Sequence, residues 1–127
     1  MAKTFEDLDV WREAREITAF IYKMSGCGSF AGDRVLGNQM RRAMISVMSN
    51  IAEGFCRGGN KELAQFLFIA RGSLAEVNSQ LYIASDLGCI SNKEFTETNN
   101  RIKLLSRRLT AFINKINTSR RSDSKAI

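Results

Sequence analysis

The chain has 127 residues, 44% of them hydrophobic, with no proline, no histidine, three cysteines and a formal net charge of +6. That length suits one domain around one core, and the lack of proline removes the strongest helix breaker. Without histidine, a tetrahedral zinc site within one subunit lacks ligands unless carboxylates join the three cysteines, no cysteine has a histidine base to activate it, and no phosphate-cradling glycine loop is present. No metal, cofactor, small-molecule substrate or catalytic residue is therefore expected.

The opening Met1-Ala2-Lys3-Thr4-Phe5-Glu6-Asp7 is acidic rather than a charged-then-apolar leader. No apolar run approaches the roughly 20 residues of a membrane span, so a cytoplasmic protein with no membrane partner is expected. The spacing predicts a first helix from about Asp9 to Ser25, with Val10, Ala14, Ile17, Ile21 and Met24 inward and Gly26 to Gly28 ending it.

A second helix is predicted from the capping residue Asp33 to about Arg57, before Gly58-Gly59. It carries two stripes of the same period. Met40, Met44, Val47, Ile51 and Phe55 are apolar, whereas Gln39, Arg42, Ser46, Asn50, Glu53 and Arg57 form a polar ladder at steps of three or four. Such a helix is expected to be contacted on two sides, with Asn50, Glu53 and Arg57 at least partly buried against the first helix, the third helix or a neighbouring subunit. Glu53 is the one carboxylate worth weighing as catalytic. A structural role is preferred: it can pair with Arg57 at i,i+4 or with an arginine across an interface, while Gly54 permits close helix approach.

The third helix starts after Asn60 and carries Leu63, Leu67, Ala70, Leu74, Val77, Leu81 and Ala84 before stopping at Gly88. It has more apolar surface than one bundle interior needs. Phe68, Ala75 and Tyr82 lie seven apart, and Phe66, Ile69, Ser73 and Ile83 form another line, which makes Phe66, Phe68, Ile69 and Tyr82 candidate contacts of a homo-oligomer. The fourth helix opens with a capping box, Ser91 to Glu94, and continues as a heptad pattern of Phe95, Thr98, Ile102, Leu105, Leu109, Phe112 and Ile116. Helices of about 25 residues, about 37 Å long, joined by short loops must run antiparallel. The expected architecture is all-α: an up-down four-helix bundle over residues 1–117 and a basic, Ser-rich flexible tail over 118–127. Cys27, Cys56 and Cys89 fall near helix ends, and only Cys27 and Cys89 share an end; reduced thiols are the preferred reading.

Charge is unevenly placed. Residues 1–92 hold ten basic and ten acidic side chains, whereas residues 93–127 hold nine basic and three acidic, which accounts for the entire excess. Arg101, Arg108 and Lys115 repeat every seven residues, Lys103 and Arg107 stand four apart, and Arg120, Arg121 and Lys125 follow. These are the candidate nucleic-acid contacts, set against the alternative of a solvated face that merely confers solubility. No RNA-recognition signature accompanies them, so base specificity is not expected.

Arg41-Arg42-Ala43 followed by Ser49-Asn50-Ile51-Ala52-Glu53-Gly54 resembles the signature of the bacterial four-helix-bundle proteins encoded in intervening sequences of 23S ribosomal RNA genes. Phe5-Glu6-Asp7-Leu8 with Val10-Trp11, Lys61-Glu62 with Phe66-Leu67, and Gly72-Ser73-Leu74-Ala75-Glu76 with Gln80-Leu81, Ala84 and Asp86-Leu87-Gly88 extend the likeness from residue 5 to about 116. Met48 stands where many members have proline, which implies a straighter second helix, and Gly26-Cys27-Gly28-Ser29 replaces a Pro-containing loop. The resemblance implies ring-shaped homopentamers, a closed heterologous arrangement in which five copies would carry about +30 in all. Two functions follow as expectations: an oligomer that binds structured RNA or serves a polymerase, as related bundle proteins of diversity-generating retroelements suggest, or an oligomeric protein-interaction scaffold.

Overall fold

In a computed structural model the backbone is described for residues 1–126 and the side chains for residues 1–119. A short 3-10 turn over Phe5–Asp7 leads into α1 (Asp9–Ser25). A second such turn, Gly28–Gly32, joins α1 to α2 (Arg34–Cys56), which is followed by α3 (Asn60–Asp86) and α4 (Asn92–Ala126). The helix boundaries follow local chemistry. Asp33 accepts the Leu36 amide at 3.0 Å and so caps α2, and Ser91 and Glu94 exchange bonds of 3.1 and 2.9 Å as the capping box of α4. Gly58 and Gly88 take φ of 82° and 72° in the turns that end α2 and α3, a conformation that favours glycine.

The helices pack in the cyclic order α1–α2–α3–α4–α1, with α2 against α3 the most extensive contact and α1 against α4 the least. Ser29 Oγ donates to the Gly88 carbonyl at 3.5 Å, joining the α1–α2 and α3–α4 connections at one end of the bundle. Cys27 and Cys89 lie in these two connections, and all three thiols are free. Among the described residues, no helix is long and apolar enough to cross a membrane.

The core is largely the predicted one, but Phe55 on α2 and Phe95 on α4 are only half-buried at its edge, and the buried line shifts locally on α3 and α4. On α3 it begins at Ala64, not Leu63, which is half-buried; on α4 Ile113 replaces Phe112 as the deeply buried residue between Leu109 and Ile116. An α-helix drifts by about 20° per heptad against a 3.5-residue repeat, so toward the end of a long helix the buried line passes from one residue to the next. Helix α4 continues in its backbone through Ala126, beyond residue 117 where the bundle domain was expected to end.

Each seam has its own device. Between α2 and α3, a Cβ built on Gly54 would lie 2.6 Å from the Phe66 Cβ and 3.4 Å from the Leu63 Cα; this glycine is what lets the two helices approach, as anticipated. Between α1 and α2, Arg41 donates to Ser25 Oγ at 2.8 Å and to the Tyr22 carbonyl at 3.3 Å, satisfying the C-terminal end of α1. Met48, on an unbroken α2, accepts the Thr18 hydroxyl at 3.2 Å.

Candidate nucleic-acid interface

The basic residues of α4 lie on its outward arc, but on two flanks of it. Arg101, Arg108 and Lys115 occupy the α1 side. Arg101 pairs with Glu16 at 3.6 Å and lies 4.7 Å over the Phe20 ring, and Arg108 pairs with Glu13. Lys115 lines an open cleft together with Asp7, Asp9 and Arg108. Asp7 itself accepts the amides of Lys3 and Thr4 at 2.9 and 3.1 Å, and these bonds hold its carboxyl below the usual carboxylate range, with a smaller contribution from Arg12. The α1 flank is thus a mixed-charge surface.

The α3 flank differs. Arg71 on α3 donates to Thr110 Oγ1 on α4 at 3.0 Å, which fixes the seam. Lys103 and Arg107 precede Thr110 by seven and three residues and share its side of the helix. Both are exposed, and neither forms an ion pair among the described residues. The side chains of Arg120, Arg121 and Lys125, the remaining candidate contacts, lie outside the described residues.

The polar ladder of α2 faces α3. Ser46 and Ser73 share a hydroxyl bond of 2.9 Å, and Asn50 donates to the Ser46 carbonyl and hydroxyl at 2.8 and 3.1 Å. These two are half-buried, as anticipated for Asn50. Glu53 and Arg57 depart from the expected burial: within the single chain both are exposed and bond each other at 2.8 Å along the helix, the i,i+4 pairing. Both sit near the C-terminal end of α2, where the close approach at Gly54 is filled by Phe66 and Leu63 and leaves the longer polar side chains outside. Arg42 is exposed as well.

The apolar residues singled out on α3 divide into three groups. Phe66 is half-buried in the α2 seam under the Arg57 guanidinium, 5.4 Å away, so it already has a partner within the chain. Ile69 and Ile83 remain exposed on the outward α2 side. Phe68, 60% exposed, and Tyr82 lie toward α4; Arg71 stacks 4.8 Å over Phe68, and Tyr82 meets Phe95 edge-on at 5.0 Å. Helical spacing alone revealed the stripes, but not which helix each stripe faced.

Among the described residues no three His, Cys, Asp or Glu side chains converge as metal ligands. A four-helix bundle with this signature line and capping pattern can be compared with known proteins, and the sequence profile of 23S rRNA-intervening sequence proteins matches residues 6–111. The chain belongs to this family. A crystal structure of a protein of unknown function from the S23 ribosomal protein family of Bacteroides thetaiotaomicron VPI-5482 is similar, with a TM-score of 0.74 at 20% identity, over 82% of this chain and 97% of that one. That likeness shows the intervening-sequence-protein chain and the Bacteroides protein to share a fold. No curated protein matches the chain.

Proposed function

We propose that this member of the family is a non-enzymatic, cytoplasmic oligomer, most simply a ring of five, that binds structured RNA through the basic outward arc of α4. The observation that supports the reading is the confinement of the whole charge excess to residues 93–127, with Lys103 and Arg107 exposed on α4 and in no ion pair among the described residues. Exposed Ile69 and Ile83 on α3 are the proposed assembly contacts. Repeating the α4 arc around a ring multiplies its field, and a polyanion then binds with release of condensed counterions.

The test is retardation of a structured RNA by the full chain at about 50 and 200 mM salt, with light scattering for the assembly. Retention at the lower salt and steep loss at the higher supports the reading. A stable monomer of 14.3 kDa removes the oligomer, and failure to retard RNA at the lower salt removes nucleic-acid binding. The alternative, an oligomeric protein-interaction scaffold, is favoured by one specific observation: Arg101 and Arg108 are already neutralised by Glu16 and Glu13.

A further inference from the structure

The two flanks of α4 differ in more than their pairing. On the α1 side, Arg101 and Arg108 are matched by carboxylates, and Glu94 and Glu97 line the next cleft along the same seam with Lys23 and Arg101. An arginine already neutralised by a neighbour has little net charge to offer a phosphate.

On the α3 side the composition changes. Between Phe68 and Tyr82 the only acidic residue of α3 is Glu76, and between residues 96 and 114 the only one of α4 is Glu97. Both point elsewhere. Glu97 lines the α1 cleft, and Glu76 lies one turn beyond Ser73, which bonds α2. What remains on the α3/α4 flank is Arg71, Lys103 and Arg107 as cations, Thr110 as the fixed seam point, and the rings of Phe68 and Tyr82, 60% and 46% exposed.

Phe68 and Tyr82 are fourteen positions apart on one helix, about 21 Å along its axis. The Arg71 guanidinium lies 4.8 Å over the Phe68 ring, so a cation is stacked against one face of an aromatic side chain that remains 60% exposed. A basic track with no carboxylate among the described residues and two separated, partly exposed rings, Tyr82 braced edge-on by Phe95, is a composition that holds single strands: phosphates meet the cations and bases stack on the rings without sequence readout. A duplex hides its base faces and would use only the cations.

We infer that the α3/α4 flank is a track for single-stranded nucleic acid, with Lys103, Arg107 and Arg71 toward the phosphates and Phe68 and Tyr82 as stacking platforms. This rests on the nucleic-acid reading above and moves its centre away from Arg101 and Arg108. It also assigns Phe68 and Tyr82 to a ligand and leaves assembly to Ile69 and Ile83.

The experiment uses the full chain, labelled oligouridine and a blunt RNA duplex, with affinities measured between about 50 and 200 mM salt. Lys103→Gln with Arg107→Gln removes two contacts. The loss of oligouridine affinity across that fourfold salt range then shrinks by about sevenfold, because each single-strand contact contributes a log–log slope of about 0.7. Arg101→Gln with Arg108→Gln leaves that salt dependence unchanged. Phe68→Leu, an apolar exchange at an exposed site, weakens oligouridine by at least about fivefold, spares the duplex and is rescued by Phe68→Trp. Light scattering on each variant reports whether the assembly persists.

Wild-type binding with the Arg101/Arg108 pair dominating, or with Phe68→Leu silent in an intact assembly, overturns the track and leaves the nucleic-acid reading standing. No wild-type binding to either probe overturns both. Dissociation of the assembly by Phe68→Leu shows the ring to be a subunit contact and overturns the track.

Discussion

Gly54→Ala is the sharpest probe of this fold, because two effects of known sign oppose each other at one methyl group. Within an α-helix, alanine is favoured over glycine by about 1 kcal/mol. Against this, the new Cβ would stand 2.6 Å from the Phe66 Cβ, 3.3 Å from Leu63 Cδ1 and 3.4 Å from the Leu63 Cα. Two of those three atoms are fixed to the α3 backbone, so no rotamer change relieves the contact and the α2–α3 seam itself must open. Overpacking of this kind costs about 1–3 kcal/mol, and the rigid neighbours place it at about 3. The expected net loss is about 2 kcal/mol, a fall in Tm of about 6–10 °C for a domain of this size. Thermal unfolding followed by circular dichroism measures it, with Gly72→Ala as the internal control. Gly72 sits within α3 with nothing within 4 Å of its Cβ position, so there the propensity term acts alone and the monomer gains up to about 1 kcal/mol. Two variants of equal Tm, or a more stable Gly54→Ala, would refute the claim that this glycine sets the spacing of the seam.

Asp33→Ala removes the cap of α2 and is expected to cost about 1 kcal/mol by chemical denaturation, with Asp33→Asn largely neutral. Glu53→Gln breaks only an exposed i,i+4 pair in the single chain and should cost about 0.3–0.5 kcal/mol there. A larger loss that depends on protein concentration would locate Glu53 in a subunit contact. Acidification should loosen the N-terminal turn before the bundle. The Asp7 carboxyl is held below its ordinary range by the Lys3 and Thr4 amides, so its contribution is complete above the unfolded value and fades as the pH falls through the folded one. NMR shifts of those two amides, followed on the acid side of the carboxylate range, check the direction; amides that do not move, or that move only above that range, contradict it.

The fold was legible because burial and periodicity coincide in a bundle. Val10 through Met24 on α1 and Leu67 through Ala84 on α3 are buried at the positions the spacing picks out. Caps at Asp33 and Ser91 mark two helix starts in letters that admit few other readings. The candidate site was less legible, since a charged residue's role depends on what faces it from another helix. Arg101 and Lys103 look equivalent in a basic stripe, yet two positions along α4 turn one toward Glu16 and leave the other without an ion pair among the described residues. Glu13 and Glu16 carry no motif of their own, and only the α1–α4 register gives them meaning. A signal was nevertheless present: Glu13 and Glu16 sit at i,i+3 on a helix whose apolar line is already complete, opposite arginines at i,i+7. Phe66 illustrates the same limit, being an apparent surface aromatic that a glycine on α2 turns into a packed one.

The unequal seams give the molecule an order of opening. Helices α2, α3 and α4 share the two broadest contacts, while α1 meets α4 through the least extensive one, closed at its outer edge by two ion pairs that water reaches. Such pairs lose strength as salt rises, whereas apolar burial does not. The first cooperative unit to detach is therefore α1, and its amides should exchange with solvent ahead of those of α3, by a margin that widens with ionic strength. Each such excursion would carry Glu13 and Glu16 away and add Arg101 and Arg108 to the cations that Lys103 and Arg107 already present.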